Sequence, residues 1–222
     1  MFKELIAVWK GKTFLSEIIK DFNQMLEDDQ KLFTEACQVW LGQKRPQDLK
    51  EYIYSADQKI NQEEQRIRRR LVEHLSVNPD VDVPACLVFM SLVKDAERIG
   101  DYAKNIFEVS LISAKGFGED EYLRTLKEIQ KDASENFARM RQAFDNSDQE
   151  VAKGVMKRHC QIARRCEGLI RKMAKGALSG EEAVCFTLLT RYFKRVSAHI
   201  ANIASSIVNP VEKIDFVREG LL

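Results

Sequence analysis

The length, composition and charge of this chain exclude several classes of protein. It has 222 residues, 45% of them hydrophobic, with only 10 glycines and 4 prolines, which is typical of a helix-rich globular protein and not of a disordered one. Lysine and arginine number 35 against 34 aspartates and glutamates, so the overall charge gives no reason to expect nucleic acid or an anionic membrane as a partner.

Cysteine usage and hydropathy predict a soluble, cytoplasmic protein. The 5 cysteines are odd in number and lack paired C-x-x-C spacing, which favours reduced thiols in a cytosolic compartment. The apolar run at the N-terminus is too short and too interrupted for a signal peptide. No later window approaches the roughly 18 uncharged apolar residues that a membrane-spanning helix needs.

Apolar residues recur at helical spacing along the chain and predict six helices. The predicted helices span residues 14–41, 46–76, 85–113, 122–144, 152–173 and 179–209. Pro46 suits the first turn of the second helix, and Pro79 and Pro84 mark a loop before the third. Gly116 and Gly118 are expected to close the third helix and with it the first half of the chain.

The three helices of the second half repeat those of the first. At a constant offset the third helix aligns with the sixth, and the second with the fifth. Aligned pairs include Arg98 with Arg195, Asn105 with Asn202, Ile106 with Ile203, Ile60 with Ile162 and Ile67 with Leu169. Such self-similarity indicates a repeated structural unit. We predict an all-α fold of two tandem antiparallel three-helix bundles, formed by residues 1–116 and 117–222.

Two carboxylates stand one turn apart on the third helix. Glu97 and Asp101 are i,i+4 neighbours, and like charges at that spacing cost about 0.2–0.5 kcal/mol when unscreened. Ion pairs with Lys94 and Lys104 on the same helix are one explanation. The other is a metal site, because carboxylate oxygens, with the Asn105 amide a turn further on, are suitable ligands for a hard cation.

The second helix places two further carboxylates in its otherwise apolar stripe. Asp57 and Glu64 occupy positions of this stripe, where an unpaired charge would be costly. A metal ion or a basic side chain such as Arg68, one turn beyond Glu64, is the usual remedy for such a charge.

The third helix carries a stretch that resembles the signature of the PhoU family, the regulators of phosphate transport. That signature reads close to Glu-Arg-Ile-Gly-Asp-x-Ala-x-Asn-Ile on the third helix of each bundle. Glu97-Arg98-Ile99-Gly100-Asp101, with Ala103, Asn105 and Ile106, matches it. The six-helix layout of the whole chain is similar to that family as well, which implies two three-helix bundles.

The resemblance also implies a metal site. In the PhoU family, acidic motifs on the second and third helices of a bundle coordinate metal ions, reported as iron or zinc. Carried over to this chain, those positions are Asp57, Glu97 and Asp101, with Asn61 and Glu64 as further ligands. The second-helix motif departs from the family pattern, since Asn61 contributes an amide where the family has a carboxylate.

The second half does not keep these acids, so we expect no metal cluster there. The repeat aligns Asp57 with His159, Asn61 with Ala163, Glu64 with Cys166, Glu97 with Lys194 and Asp101 with Ala198. His159 and Cys166 are candidate zinc ligands, although no nearby residue completes a set of four, and a buried cysteine usually acts as a small apolar side chain.

The function implied by the resemblance is non-enzymatic regulation of phosphate uptake or phosphate signalling. The implied partners are a component of a phosphate transporter or its sensor kinase, met at the cytoplasmic side of a membrane complex, and the chain itself as a homo-oligomer. No nucleic acid is expected. The sequence lacks the phosphate-binding GxxxxGK[ST] loop, the GxSxG motif, and the Glu-x-x-His pair of ferritin-like di-iron enzymes.

The alternative function is a metal-free helical adaptor. The fifth helix is rich in lysine and arginine and would dock an acidic protein partner. A second basic run lies at residues 66–70 of the second helix. In both places, basic side chains paired with acids of neighbouring helices are the competing explanation.

Overall fold

The computed structural model describes residues 13–112 and 121–215, which form six long helices. The helices are α1 Thr13–Trp40, α2 Pro46–Val77, α3 Val83–Ile112, α4 Glu121–Asn146, α5 Gln149–Met173 and α6 Gly180–Val208. A single 3₁₀ turn, Val211–Lys213, follows α6. All six predicted helices are confirmed. The predicted boundary between residues 116 and 117, with its two glycines, lies outside the described residues.

Local chemistry accounts for several of the helix ends. Gly42 has a φ of 71°, a left-handed conformation that glycine adopts without strain just after α1, and Pro46 opens α2 at its first turn. The Asp148 side chain caps α5 by accepting hydrogen bonds from two backbone N–H groups of its first turn. Ser179 and Glu182 form a capping box at the start of α6. Each of these signals is readable in the sequence.

The helices pack as two three-helix bundles. Helices α1, α2 and α3 pack against one another to form the first bundle, and α4, α5 and α6 form the second. The two bundles meet mainly where α3 packs against α6, with a smaller contact between α1 and α4. The predicted pair of three-helix bundles is therefore confirmed. In the described part of the chain, none of the helices combines the length and apolarity of a membrane span.

The internal repeat aligns α3 with α6, so each contact between these two helices has an equivalent contact in which the aligned residues take each other's places. Asp95 aligns with Tyr192 in the repeat, and Tyr102 aligns with His199. Across the contact, His199 Nδ1 lies 2.6 Å from Asp95 Oδ1, and the Tyr102 and Tyr192 rings lie 5.8 Å apart. These two contacts exchange under the repeat, and the aligned rings of Tyr102 and His199 stack at 5.7 Å. A pseudo-two-fold axis therefore passes between α3 and α6.

Aromatic side chains join the two bundles through a shared core. Phe22 meets Phe144 at 5.2 Å between ring centroids, and Phe193 meets Phe33 at 6.2 Å and Trp40 at 5.5 Å, all in edge-to-face geometry. All five residues are buried. Because each pair has one ring from either bundle, the apolar core continues from one bundle into the other.

We expect Phe33→Ala to lower the free energy of unfolding by about 3–5 kcal/mol, since it removes a fully buried ring that contacts the second bundle. Urea denaturation followed by circular dichroism measures the change. The exposed Val72→Ala on α2 is the control and should shift the value by no more than about 0.5 kcal/mol. A loss below about 1 kcal/mol for Phe33→Ala would contradict a shared core.

Candidate cation site of the first bundle

Helices α2 and α3 carry the five residues predicted as metal ligands, here called the acidic site: Asp57, Asn61, Glu64, Glu97 and Asp101. Lys104 of α3 joins the two helices within it. Its Nζ lies 2.7 Å from Asp57 Oδ2 and 3.5 Å from Asp101 Oδ1. Burial acts to lower the pKa of Lys104, but the hydrogen bond and charge of Asp57, followed by those of Asp101, raise it above the ordinary value. The ammonium group is therefore held in its charged form.

Two arginines pair with the other carboxylates of the acidic site. Arg98 Nη1 lies 2.9 Å from Asp101 Oδ2, and its Nε lies 3.4 Å from Glu97 Oε2. Arg68 Nη2 lies 3.0 Å from Glu64 Oε1, so the basic partner considered as one of two alternatives is present. The ion pair of Lys104 with Asp101, also one of two alternatives, is present as well. Side-chain cations of the chain itself thus compensate much of the negative charge.

Repulsion between the two motif carboxylates persists in spite of these pairs. Partial burial, and then the charge of Asp101, raise the pKa of the Glu97 carboxyl, and Arg98 offsets only part of that effect. The charge of Glu64 acts in the same direction. Glu64 of α2 and Glu97 of α3 are therefore close enough in space to interact, as a shared site requires.

Sequence reasoning missed a further acid of this region, Asp29 on α1. It is 0% exposed, and neither carboxyl oxygen has a hydrogen-bond partner among the described residues. Burial, and then the charges of Asp28, Glu97 and Asp57, raise its pKa well above the usual range. The signal in the sequence is its place at helical spacing within the apolar stripe of α1.

The oxygen atoms of this region fit a hard cation in kind. Besides both oxygens of Asp29, Asp57 Oδ1 and Asn61 Oδ1 are buried without a hydrogen-bond partner. Carboxylate and amide oxygens are the ligands that such cations prefer. Within residues 13–112 and 121–215, however, no three His, Cys, Asp or Glu side chains are placed to hold a metal ion. A metal ion that used both Asp57 and Asp101 would have to displace the Lys104 ammonium group.

The aligned positions of the second bundle carry no carboxylate, and Lys194, which aligns with Glu97, pairs with Glu167 at 2.6 Å. His159 and Ser197, which align with Asp57 and Gly100, share a hydrogen bond of 3.1 Å, and both are buried. Burial, and then the charges of Lys194 and His199, lower the pKa of His159 to about 4. Burial raises the pKa of the Cys166 thiol to about 12, so in this structure the side chain is a neutral thiol.

Many cations of the two basic stretches are paired with neighbouring helices. Arg70 of α2 pairs with two acids of α1, Glu17 and Asp21. The paired cations of α5 are Arg158 with Glu135, Arg165 with Glu128 and Asp132, and Lys172 with Glu121. These arginines and lysines hold α2 to α1 and α5 to α4, which favours the structural explanation of the basic stretches.

The burial of His159 should make the free energy of unfolding depend on pH in the acidic range. The folded chain keeps this side chain neutral down to about pH 4, whereas the unfolded chain binds a proton below about 6.5, so stability is lost as the pH falls through that window. Between pH 7 and pH 4 the free energy of unfolding should fall by about 2–3 kcal/mol less in His159→Asn than in the wild type. Urea denaturation at each pH measures it, with pH 8 as the internal control, where the histidine is neutral in both states. An unchanged pH dependence would contradict the burial of a neutral histidine.

Comparison with known proteins agrees with this architecture. Solved structures similar to this chain include the phosphate transport system regulatory protein PhoU from Streptococcus pneumoniae, with a TM-score of 0.73, 20% identity, and coverage of 95% of this chain and 100% of that one. PhoU from Pseudomonas aeruginosa gives a TM-score of 0.77 at 20% identity, covering 87% of this chain and 95% of that one. Both likenesses show the fold.

Sequence comparison assigns the family. The phosphate-specific transport system accessory protein PhoU homolog 1 of Thermotoga maritima is 27% identical over 108 residues, which are 49% of this chain and 45% of that protein. The chain thus matches less than half the length of this curated relative. The family model described as the PhoU domain matches twice, at residues 22–110 and 126–207, once in each bundle. Since these two matches cover most of its length, the chain belongs to the PhoU family.

Proposed function

We propose that this chain is a non-enzymatic regulator of phosphate uptake or phosphate signalling. The observation that carries the proposal is the presence of a PhoU domain in each of its two bundles. The names of its relatives support it, since they describe an accessory protein and a regulatory protein of phosphate transport systems. The chain would act by binding a component of a phosphate transporter, or its sensor kinase, in the cytoplasm.

The structure favours this proposal over docking through the basic α5. The cations of that helix that face α4 are engaged, because Arg158, Arg165 and Lys172 all pair with α4 acids. An acidic partner that bound these three side chains would have to compete with the α4 acids that already pair with them.

We further propose that the acidic site binds a metal ion, with iron and zinc as the candidates from the family. Asp57, Asn61, Glu64, Glu97 and Asp101 would hold it. When bound, the ion would supply positive charge that neutralises the carboxylates of α2 and α3. Lys104 now supplies part of that charge, so the ion and the ammonium group compete for Asp57 and Asp101. Exchange of one for the other would change the link between α2 and α3.

Deleting the gene in its own organism tests the regulatory role. We expect uptake of radioactive phosphate to stay high in phosphate-rich medium, where the parent strain reduces it, because the inhibitory contact with the transport system is lost. Complementation with the wild-type chain should restore the response. An unaltered response to phosphate in the deletion strain would contradict the proposed function.

Elemental analysis tests the metal site. The purified, untagged protein is exposed briefly to iron, zinc, manganese or calcium and compared with Glu97→Gln/Asp101→Asn. We expect a stoichiometric metal that the double variant loses while its helical circular dichroism is kept. Asp132→Asn/Glu135→Gln on α4 removes two acids that pair with arginines and is the control, which should keep the metal. Equal metal content in the wild type and in Glu97→Gln/Asp101→Asn would show that Glu97 and Asp101 are not ligands.

A further inference from the structure

The chain beyond α6 folds back onto the contact between the two bundles. Residues 209–215, here called the strap, leave the end of α6 at Asn209 and pass through Pro210 into the 3₁₀ turn Val211–Lys213. The Asn209 side chain holds this turn, since its Nδ2 donates to the Lys213 carbonyl oxygen at 3.0 Å. Ile214 then packs into the apolar core and is only 9% exposed. The strap is thus anchored by an apolar side chain.

Asp215 ties the strap to both bundles. Ser91 of α3 donates its hydroxyl hydrogen to Asp215 Oδ2 at 3.1 Å. The Asp215 backbone N–H donates to Ser205 Oγ of α6, also at 3.1 Å. Asp215 makes these two contacts with a φ of 71°, a left-handed conformation that is uncommon for residues other than glycine. One residue therefore connects α3 of the first bundle with α6 of the second.

The Asp215 side chain lies against a second acid, Asp95 of α3. Asp95 is buried, its Oδ1 lies 2.6 Å from His199 Nδ1, and the same oxygen accepts a hydrogen bond from Asn202 Nδ2 at 3.0 Å. A further hydrogen bond joins the carboxyl groups of Asp95 and Asp215. Such a bond requires a proton on one of the two groups, because an ionised carboxylate is only an acceptor.

The meeting of two acids makes the attachment of the strap sensitive to ionisation. Burial, and then the charge of Asp95 and the hydrogen bond with it, raise the pKa of the Asp215 carboxyl. The Ser91 hydroxyl and the charge of Lys94 act in the opposite direction and offset only part of this effect. The attached strap therefore binds this proton more tightly than a released strap would. Its attachment weakens as the pH rises from the ordinary pKa of an aspartate through the raised one.

We propose that the strap is a releasable latch between the bundles, held in place while Asp215 is neutral and loosened when Asp215 ionises beside Asp95. Release would remove the contacts of Asp215 with Ser91 and Ser205 and would withdraw Ile214 from the core. The latch acts at the contact between α3 and α6 and does not depend on a metal ion. It gives the chain a movable element where its two bundles meet.

Hydrogen exchange of the full chain, followed by mass spectrometry of peptides from the strap, tests the latch. The backbone amides of Lys213, Ile214 and Asp215 all donate hydrogen bonds while the strap is in place. We expect their protection, corrected for the intrinsic exchange rate, to fall several-fold between pH 5 and pH 8 in the wild type. Asp215→Asn cannot ionise and keeps both an acceptor for Ser91 and a donor for Asp95. Its protection should therefore stay high at both pH values.

Two further variants separate the ionisation of Asp215 from other effects. Glu212→Gln removes an exposed acid of the strap with the same change in charge, and it should show the same fall as the wild type. Asp215→Ala can make neither side-chain hydrogen bond, so its protection should be low at both pH values. Wild-type protection that is independent of pH, or an equal fall in Asp215→Asn, would overturn the latch. Protection of Asp215→Ala that equals that of the wild type at pH 5 would overturn it as well.

Discussion

Helix α3 packs against three other helices at once, and this crowding determines much of the structure. It contacts α1 and α2 within the first bundle and α6 across the contact between bundles. A helix with neighbours on three sides needs small residues where backbones approach closely, and Ala96, Gly100 and Ala103 are fully or almost fully buried. Polar residues of α3 lie where a partner is available. Asp95 pairs with His199 of α6 at 2.6 Å, and Lys104 pairs with Asp57 of α2 and with Asp101 of the motif.

Electrostatics distinguishes the two bundles more than packing does. The first bundle gathers carboxylates from α1, α2 and α3 and balances them with Lys104, Arg98 and Arg68. In the second bundle the aligned positions hold no carboxylate: His159 and Ser197 share a hydrogen bond, and Lys194 pairs with Glu167 of α5. Helices of similar length and order thus carry acids at these positions in one bundle and none in the other.

The fold could be predicted from the sequence because it depends on local signals. The helices followed from apolar periodicity, and their ends followed from residues such as Pro46 and Ser179. The pairing of Arg68 with Glu64 was predictable as well, because both lie on one helix at a fixed spacing. Contacts between helices were not. Whether Lys104 meets Asp57 depends on the register of α3 against α2, which no local pattern specifies.

Asp29 is a second case in which contacts between helices could not be predicted from the sequence. Its position in the apolar stripe of α1 was visible, but one acid in a long helix is usually read as a solvated residue. Its burial depends on the packing of α3, because Gly100 lies opposite it only after folding. The acids of α2 and α3 could thus be predicted from the motif and the stripe pattern, whereas the burial of Asp29 could not.

The pseudo-two-fold contact between α3 and α6 has a consequence for how such a chain diverges. Two identical three-helix units related by a two-fold axis would repeat every contact, so one substitution would change both copies together. In a single chain the copies are separate positions. One now pairs Asp95 with His199, and its mate pairs Tyr102 with Tyr192. Covalent joining has allowed a self-complementary surface to become two different halves, each free to specialise without loss of the fit between them.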